Sequence, residues 1–463
     1  MSHVTTSTVV FAINHSHVFV TQWKEALVAP CDFEPLSNKM RTKVRPLAAL
    51  GILSTVAGLA DAFSMPSMSM SPMAMITSTF QSENDDAIQE CRKRAEMRHA
   101  EEFESGAQYF GQSSPKCNDT KDIKSWRTDD FTSYSVGTGN GGPSELKLKD
   151  GHVIFETKEA VFDDNTCDFF IQTARETIRQ EKLSDQEKAL HSDNSDGQTT
   201  NSDLGEARLS NLSPDALEKL NLLLQSNLYP MLQERLGVED LAVYDGLILG
   251  SIAPSISQPV HRDASLLTLN IALSSPKEFQ GGGTYIEGLE DHSGLPLCIE
   301  RGKVLCHSSG IMHAGTSISA GERWVLVLFV IAKNEAQIAR RAHAEGLDLI
   351  RSMNLSEANI AFETGLLEAP NDHVLHMGIG QIASMTGNEQ ESMNRLSKAA
   401  ACYPASHKAA MALGKMFESK RKPRAALRRF DNVLSFIEDK DLLNGAWMPL
   451  KALAWDARVS AGR

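Results

Sequence analysis

Cysteine is sparse and unpaired in pattern. Seven occur in 463 residues (Cys31, Cys91, Cys117, Cys167, Cys298, Cys306 and Cys402), none in a Cys-x-x-Cys spacing, which argues against a paired-cysteine zinc site. Basic charge is also short: 46 Lys and Arg stand against 59 Asp and Glu, a net charge of −13. That balance argues against a general nucleic-acid binder. The apolar run Leu47 to Ala60 is too short to span a bilayer comfortably. What remains is ordinary for a globular protein with some irregular segments: 41% hydrophobic residues and a length sufficient for two or three domains.

Residues 1–39 show no strong pattern. A basic start, Met40 to Pro46, then leads into the apolar run and an Ala60-Asp-Ala62 cleavage pattern. The three parts predict a secretory signal peptide over 40–62, with translation starting at Met40 and residues 1–39 a mis-assigned extension. Phe63 directly after the cut resembles the Ala-Phe junction of bipartite presequences in algae with complex plastids. The expected destination is the secretory pathway and endoplasmic reticulum, or a complex plastid. Cleavage leaves six cysteines, an even number compatible with disulfides.

Residues 63–150 read as largely disordered or linker. Within them Asp85 to Ser105 is predicted as a solvated helix, and Asn118-Asp-Thr120 is a candidate glycan acceptor. Alternation from Val153 predicts the first strand of a domain over 151–335. Phe162 to Arg175 reads as a capped amphipathic helix. Ser184 to Glu206 is polar, either a loop over a site mouth or a plain surface insertion. Ser213-Pro-Asp-Ala caps a helix through Leu217, Leu220, Leu223 and Leu224. Leu241 to Ile252 is a strand leading into the most informative stretch, His261 to Val330.

That stretch holds a His-x-Asp pair (His261, Asp263), a later His313, and Arg323 beyond it. Two imidazoles and one carboxylate are the ligands of the facial triad that holds non-haem Fe(II) and leaves positions open. On an extended strand end, His261 and Asp263 point to one side and Arg262 to the other. The third ligand must come from a neighbouring strand; His313 is placed to supply it, with His307 and His292 as competitors. Arg323 opens the apolar run Trp324 to Val330, which reads as a buried strand. A cosubstrate that chelates iron at one end and carries a carboxylate at the other needs such a guanidinium.

His261, Asp263, Ala264, Ser265, Thr268, Asn270 to Leu273, Gly281 to Gly283, His313, Gly321 and Arg323 together resemble the 2-oxoglutarate and Fe(II)-dependent dioxygenases. The likeness is greatest to the procollagen lysyl hydroxylase and prolyl 4-hydroxylase group. The resemblance implies a double-stranded β-helix (jelly roll), iron on His261, Asp263 and His313, and 2-oxoglutarate on Arg323 with Thr268 lining its pocket. It also implies O2 as second cosubstrate, ascorbate as reductant, and a prolyl or lysyl residue of a protein as substrate. One departure stands out: where the family carries a Tyr before the metal His, this chain reads Leu249 to Ala253, with Tyr244 nearest and Tyr285 a candidate to compensate.

Residues 336–463 repeat. Gly346, Gly380 and Gly414 fall in phase, as do Ala358, Ser392 and Ala426, and Phe362, Leu396 and Phe430, with Pro370 and Pro404. The period and residue types resemble tetratricopeptide repeats, with residues 442–463 as a capping helix. Such a solenoid presents a groove to a peptide or protein. The expected whole is α+β: an oxygenase domain followed by all-α repeats, acting on a protein or peptide and not on nucleic acid. A small-molecule oxygenase and a non-catalytic repeat scaffold are the other two readings.

Overall fold

The computed structural model describes residues 72–112, 123–136, 154–190, 205–258, 260–289, 295–404, 406–438 and 458. The expected signal peptide, the extension before it, the glycan acceptor and His292 lie outside them. So does the expected capping helix, apart from Arg458.

The chain runs α1 (Pro72–Phe110), β1 (Phe131–Tyr134), β2 (Ile154–Thr157), α2 (Asp164–Leu190), β3 (Gly205–Arg208), α3 (Pro214–Leu223), α4 (Tyr229–Leu236) and β4 (Leu241–Ile252). Then follow β5 (Leu267–Ala272), β6 (Phe279–Gly281), β7 (Thr284–Ile286), β8 (Val304–Ser308), β9 (His313–Gly315) and β10 (Ile318–Ala332). Six helices close the described chain: α5 (Ile338–Arg351), α6 (Leu355–Glu368), α7 (His373–Met385), α8 (Glu389–Cys402), α9 (His407–Ser419) and α10 (Pro423–Glu438).

The strands form an antiparallel sheet in the order β1-β2-β8-β5-β10-β4-β3, with β6 also on β10, and a second sheet of β7 and β9. Strand alternation divides the large sheet's side chains cleanly. Leu267, Leu269, Ile271, Cys306, Trp324, Leu326 and Leu328 enter a core built with Phe170, Leu220, Leu224 and Tyr229 of the covering helices. The opposite face meets the small sheet, where Ile154 and Leu305 pack on Ile286, Leu297 and Ile311. The expected α+β architecture is present, with two layers of unequal size.

Three segments differ from expectation. The helix expected to be solvated is α1, and its stripe Ile88, Cys91, Ala95, His99 and Phe103 is buried. Phe103 packs on Ala242 and Ile331, and His99 Nε2 lies 3.0 Å from the Ala332 carbonyl. The stripe is narrow, one residue per turn, so composition hides it. The sheet also starts earlier than Val153: β1 pairs with β2, and Trp126 stacks on Phe131 within the core. Helix α2 continues to Leu190, well into the expected polar loop, and β3 pairs with β4 before that loop's expected end.

No disulfide joins the described cysteines: Cys91, Cys167, Cys298, Cys306 and Cys402 are all free thiols. The helices α5–α10 are 13 to 16 residues long and pack as three antiparallel pairs. Their phase has a direct physical cause. A Cβ at Gly346 would collide with the Phe362 ring, and one at Gly414 with the Phe430 ring. Glycine lets the first helix of each pair approach closely enough for a large side chain of the second to fill the gap, Phe362 and Phe430 in the outer pairs and Leu396 at Gly380 in the middle one.

Candidate metal centre

His261 and His313 face each other across an antiparallel bridge. The His261 amide donates to the His313 carbonyl at 2.9 Å, and the His313 amide donates back at 2.8 Å. Directly paired residues of antiparallel strands share a face, so the two imidazoles come together, with ring centroids 4.6 Å apart. The Asp263 amide donates to the Ser309 carbonyl at 2.9 Å, which draws the carboxylate to the same side. One donor atom from each of His261, Asp263 and His313 lies within 4.8 Å of the others. Asp263 Oδ1 is 3.6 Å from His261 Nε2, and Oδ2 is 3.3 Å from His313 Nε2. Metal bonds of about 2.1 Å put neighbouring donors about 3.0 Å apart, so these donors must draw together to share an ion.

The surroundings prepare the three groups for that role. His313 Nδ1 lies 2.9 Å from the Ile311 carbonyl, which can only accept, so Nδ1 carries a proton and Nε2 is the nitrogen turned to Asp263. The Thr268 hydroxyl donates to Asp263 Oδ2 at 2.5 Å and lies 2.9 Å from Ser309 Oγ. Burial pushes the Asp263 carboxyl up, but His313 and His261 outweigh it and hold the group below its usual range. Burial likewise pulls His313 down while the Asp263 charge raises it above its ordinary value. His261 is the open side, with 27% of its side chain exposed against 7% for His313.

His307 stands behind this set rather than in it. It sits on β8 opposite Thr268, fully buried, with its ring 4.3 Å from that of His313. Its Nδ1 lies 3.0 Å from the Ser308 carbonyl. Burial and the neighbouring His313 push it down to about 3, so it is a neutral imidazole.

Arg323 lies on the same face of the large sheet as Thr268, because β10 and β5 pair Val325 with Ala272 and Phe329 with Thr268. It is half-buried and lines a recess with Asn270, Ala272, Ser274, Thr284 and Cys298. Burial lowers its guanidinium from the ordinary value, and among the described residues no carboxylate pairs with it. Thr268 is not among the residues lining that recess; its hydroxyl orients Asp263 instead. Thr284, Asn270 and Ser274 supply the polar part of the lining; the alternation of β5 could have suggested Asn270, which shares a face with Thr268.

Tyr285 does not replace the missing one. Tyr285 pairs with Ala314, next to the Ile286–His313 pair, so it points away from the metal face and packs on Val260, Met312 and Ala314. Tyr244 packs near Phe329 and under the Arg341 guanidinium.

No protein-family model matches the sequence, and no curated protein matches it. Among solved structures, an oxidoreductase of the 2OG-Fe(II) oxygenase family from Burkholderia pseudomallei is similar over 26% of this chain and 58% of its own, at 21% identity and a TM-score of 0.21. The Yersinia enterocolitica type III secretion chaperone SycD, in complex with a peptide of the translocator YopD, is similar over 26% of this chain and 90% of its own, at 11% identity and a TM-score of 0.24. Both likenesses are local, and the site's chemistry rests on its own geometry.

Proposed function

We propose that the chain is an Fe(II)- and 2-oxoglutarate-dependent dioxygenase that hydroxylates an unactivated C–H bond. The observation that carries this is the convergence of His261, Asp263 and His313 on the sheet face that also bears Arg323, a charged group in a largely apolar recess. The donor set fits Fe(II): two imidazoles and one carboxylate are the ligand types of the facial triad. Iron held by His261, Asp263 and His313 would supply dioxygen activation coupled to decarboxylation of the 2-oxo acid, with succinate, carbon dioxide and the hydroxylated product as the balanced outcome.

The protein's own residues have distinct tasks. The Ile311 carbonyl fixes the His313 tautomer, and Thr268 fixes the rotation of the Asp263 carboxylate. Losing such an outer hydrogen bond costs roughly 10- to 100-fold in metal affinity. Thr268→Val, which keeps the shape, is therefore expected to weaken Fe(II) binding by that factor with little change in melting temperature. Isothermal titration and a thermal melt check it.

Arg323 receives the distal carboxylate of the cosubstrate. A hydrogen bond to a charged group contributes about 1.5–3 kcal/mol, roughly 10- to 150-fold in affinity. Arg323→Ala should raise the KM for 2-oxoglutarate by that much while leaving Fe(II) affinity within about twofold. A mutant with unchanged KM would remove Arg323 from the role.

A prolyl or lysyl residue of a protein is the substrate class we propose, with ascorbate as reductant and residues 40–62 as a secretory leader. The sequence resemblance supports the substrate class and the reductant, the helical repeats a protein or peptide ligand, and the basic start, apolar run and Ala60-Asp-Ala62 pattern the leader. The deciding experiment is anaerobic titration with Fe(II) and 2-oxoglutarate, read by the visible charge-transfer band, followed by succinate release on prolyl and lysyl peptides against free amino acids. No band sinks the dioxygenase reading; turnover of free amino acids alone sinks the peptidyl one.

A further inference from the structure

Two of the three candidate ligands stand on a segment, residues 260–266, whose only regular pairing is the bridge at His261. Ligands must be held to about half an ångström, and a loop does this poorly unless something else fixes it. On its inner side the segment is tied to the sheet by the His261 and Asp263 amides. Its outer side faces the first helices of the three helical pairs.

Arg262, between the two ligands, points away from the metal face, as the strand alternation requires. Its Nη1 donates to Asp372 Oδ2 at 2.6 Å, with side-chain exposures of 4% and 2%. Its Nε lies 3.4 Å from His343 Nδ1 on α5. Asp372 is itself immobilised, because its other oxygen caps α7 by accepting from the amides of Val374 and Leu375 at 2.8 and 3.2 Å. Just before the ligands, Lys408 Nζ of α9 donates to the Val260 carbonyl at 2.8 Å. Just after them, Arg340 of α5 donates to the carbonyls of Ser265 and Leu266 and lies 3.3 Å from Ser308 Oγ.

The third ligand's strand is gripped as well. Glu287 follows β7, and its amide donates to the carbonyl of Met312, next to His313. The Glu287 carboxylate accepts from the His407 amide at 3.2 Å and pairs with His407 Nδ1 at 2.8 Å, while its carbonyl accepts from the Tyr403 hydroxyl. Apolar packing would join two units at lower desolvation cost than buried ion pairs. Directional bonds to the residues before, between and after the ligands are what a positioning device requires.

We propose that the helical repeats clamp the metal-binding segment, with Arg262, Asp372, Lys408 and Arg340 as positioning residues for the His261–Asp263–His313 centre. The inference rests on the metal reading above and assigns the repeats a role within the same chain. They act on the centre from behind, whatever else they bind.

Two variants test it in the full chain. Lys408→Met removes one donor to the loop, and Glu287, the carboxylate facing Lys408, keeps its pairing with His407. The double variant Arg262→Met/Asp372→Asn removes both charges of the buried pair and keeps a side-chain oxygen to cap α7, a change that need not cost stability. Fe(II) affinity is read by titration, the melting temperature alongside, and amide exchange of His261 and Asp263 in metal-free protein. Both variants are expected to melt near the parent, to bind Fe(II) roughly 10- to 100-fold more weakly, and to exchange those two amides about tenfold faster. Fe(II) affinity within twofold of the parent in both variants overturns the clamp. Weaker binding accompanied by an equal rise in exchange throughout the chain also overturns it, since that is general loosening. If the parent takes up no Fe(II), the dioxygenase reading fails, and the exchange of the two amides alone decides the clamp.

Discussion

Asp263→Ala is expected to abolish both stable Fe(II) binding and turnover. The carboxylate is the only anionic member of the set and faces both imidazoles, at 3.6 and 3.3 Å. Without it the ion meets two neutral donors and keeps its full charge in a partly buried place, where desolvation is costly. The loss should exceed the roughly 10- to 100-fold of an outer hydrogen bond, so we expect at least about a thousandfold in affinity. His313→Ala should behave similarly, because it removes the most enclosed donor. Removing Asp263 also leaves the Thr268 and Ser309 hydroxyls to rearrange around the gap. The variant should nonetheless stay folded, since the segment keeps its Lys408, Asp372 and Arg340 contacts. Titration calorimetry with a circular dichroism melt separates these statements. Parent-like Fe(II) affinity in Asp263→Ala would remove the centre from the proposal.

The second large effect concerns stability. Phe362→Ala should cost about 3–5 kcal/mol, the usual range for a buried phenylalanine emptied to a methyl. The ring is fully buried between Ala358, Leu366, Leu375 and Ile379, and Gly346 and Gly378 both lie against it. No side chain stands at either glycine to relax into the vacated space, so the cavity should persist. Denaturant unfolding followed by circular dichroism measures the loss. Gly346→Val attacks the same contact from the other side, and should be comparably destabilising because the helices must separate. Because α5 also carries Arg340, we expect both variants to weaken Fe(II) binding more than a remote core change would.

Much of this was legible in the residues themselves. A His-x-Asp pair is a local pattern, and the period of a strand puts its two ligands on one side whatever the rest of the chain does. The same alternation along Trp324 to Val330 places Arg323 on the face of Val325 and Val327. The phase of Gly346, Gly380 and Gly414 against Phe362, Leu396 and Phe430 is equally local, because each pair records one helix-to-helix contact repeated along the chain.

Other features depend on what meets what across long stretches of sequence. The exclusion of His307 from the triad follows from the bridge that pairs His261 with His313 and leaves His307 opposite Thr268 on the next strand. The direction of Tyr285 is set by its register with Ala314, and a shift by one residue would have turned it to the metal face. The burial of α1 and the place of β1 in the sheet come from partners that no short window contains.

The sequence by itself thus determined the ligand types, the cation beyond them and the repeat of paired helices, since each is written in spacings of a few residues or one fixed period. Only the tertiary structure decided that Arg262 ends on Asp372, Val260 on Lys408 and Ser265 on Arg340. Those bonds join residues whose separation follows no period. They exist because the ends of three helices arrive together at one loop, and only the packing of the two parts fixes that arrival.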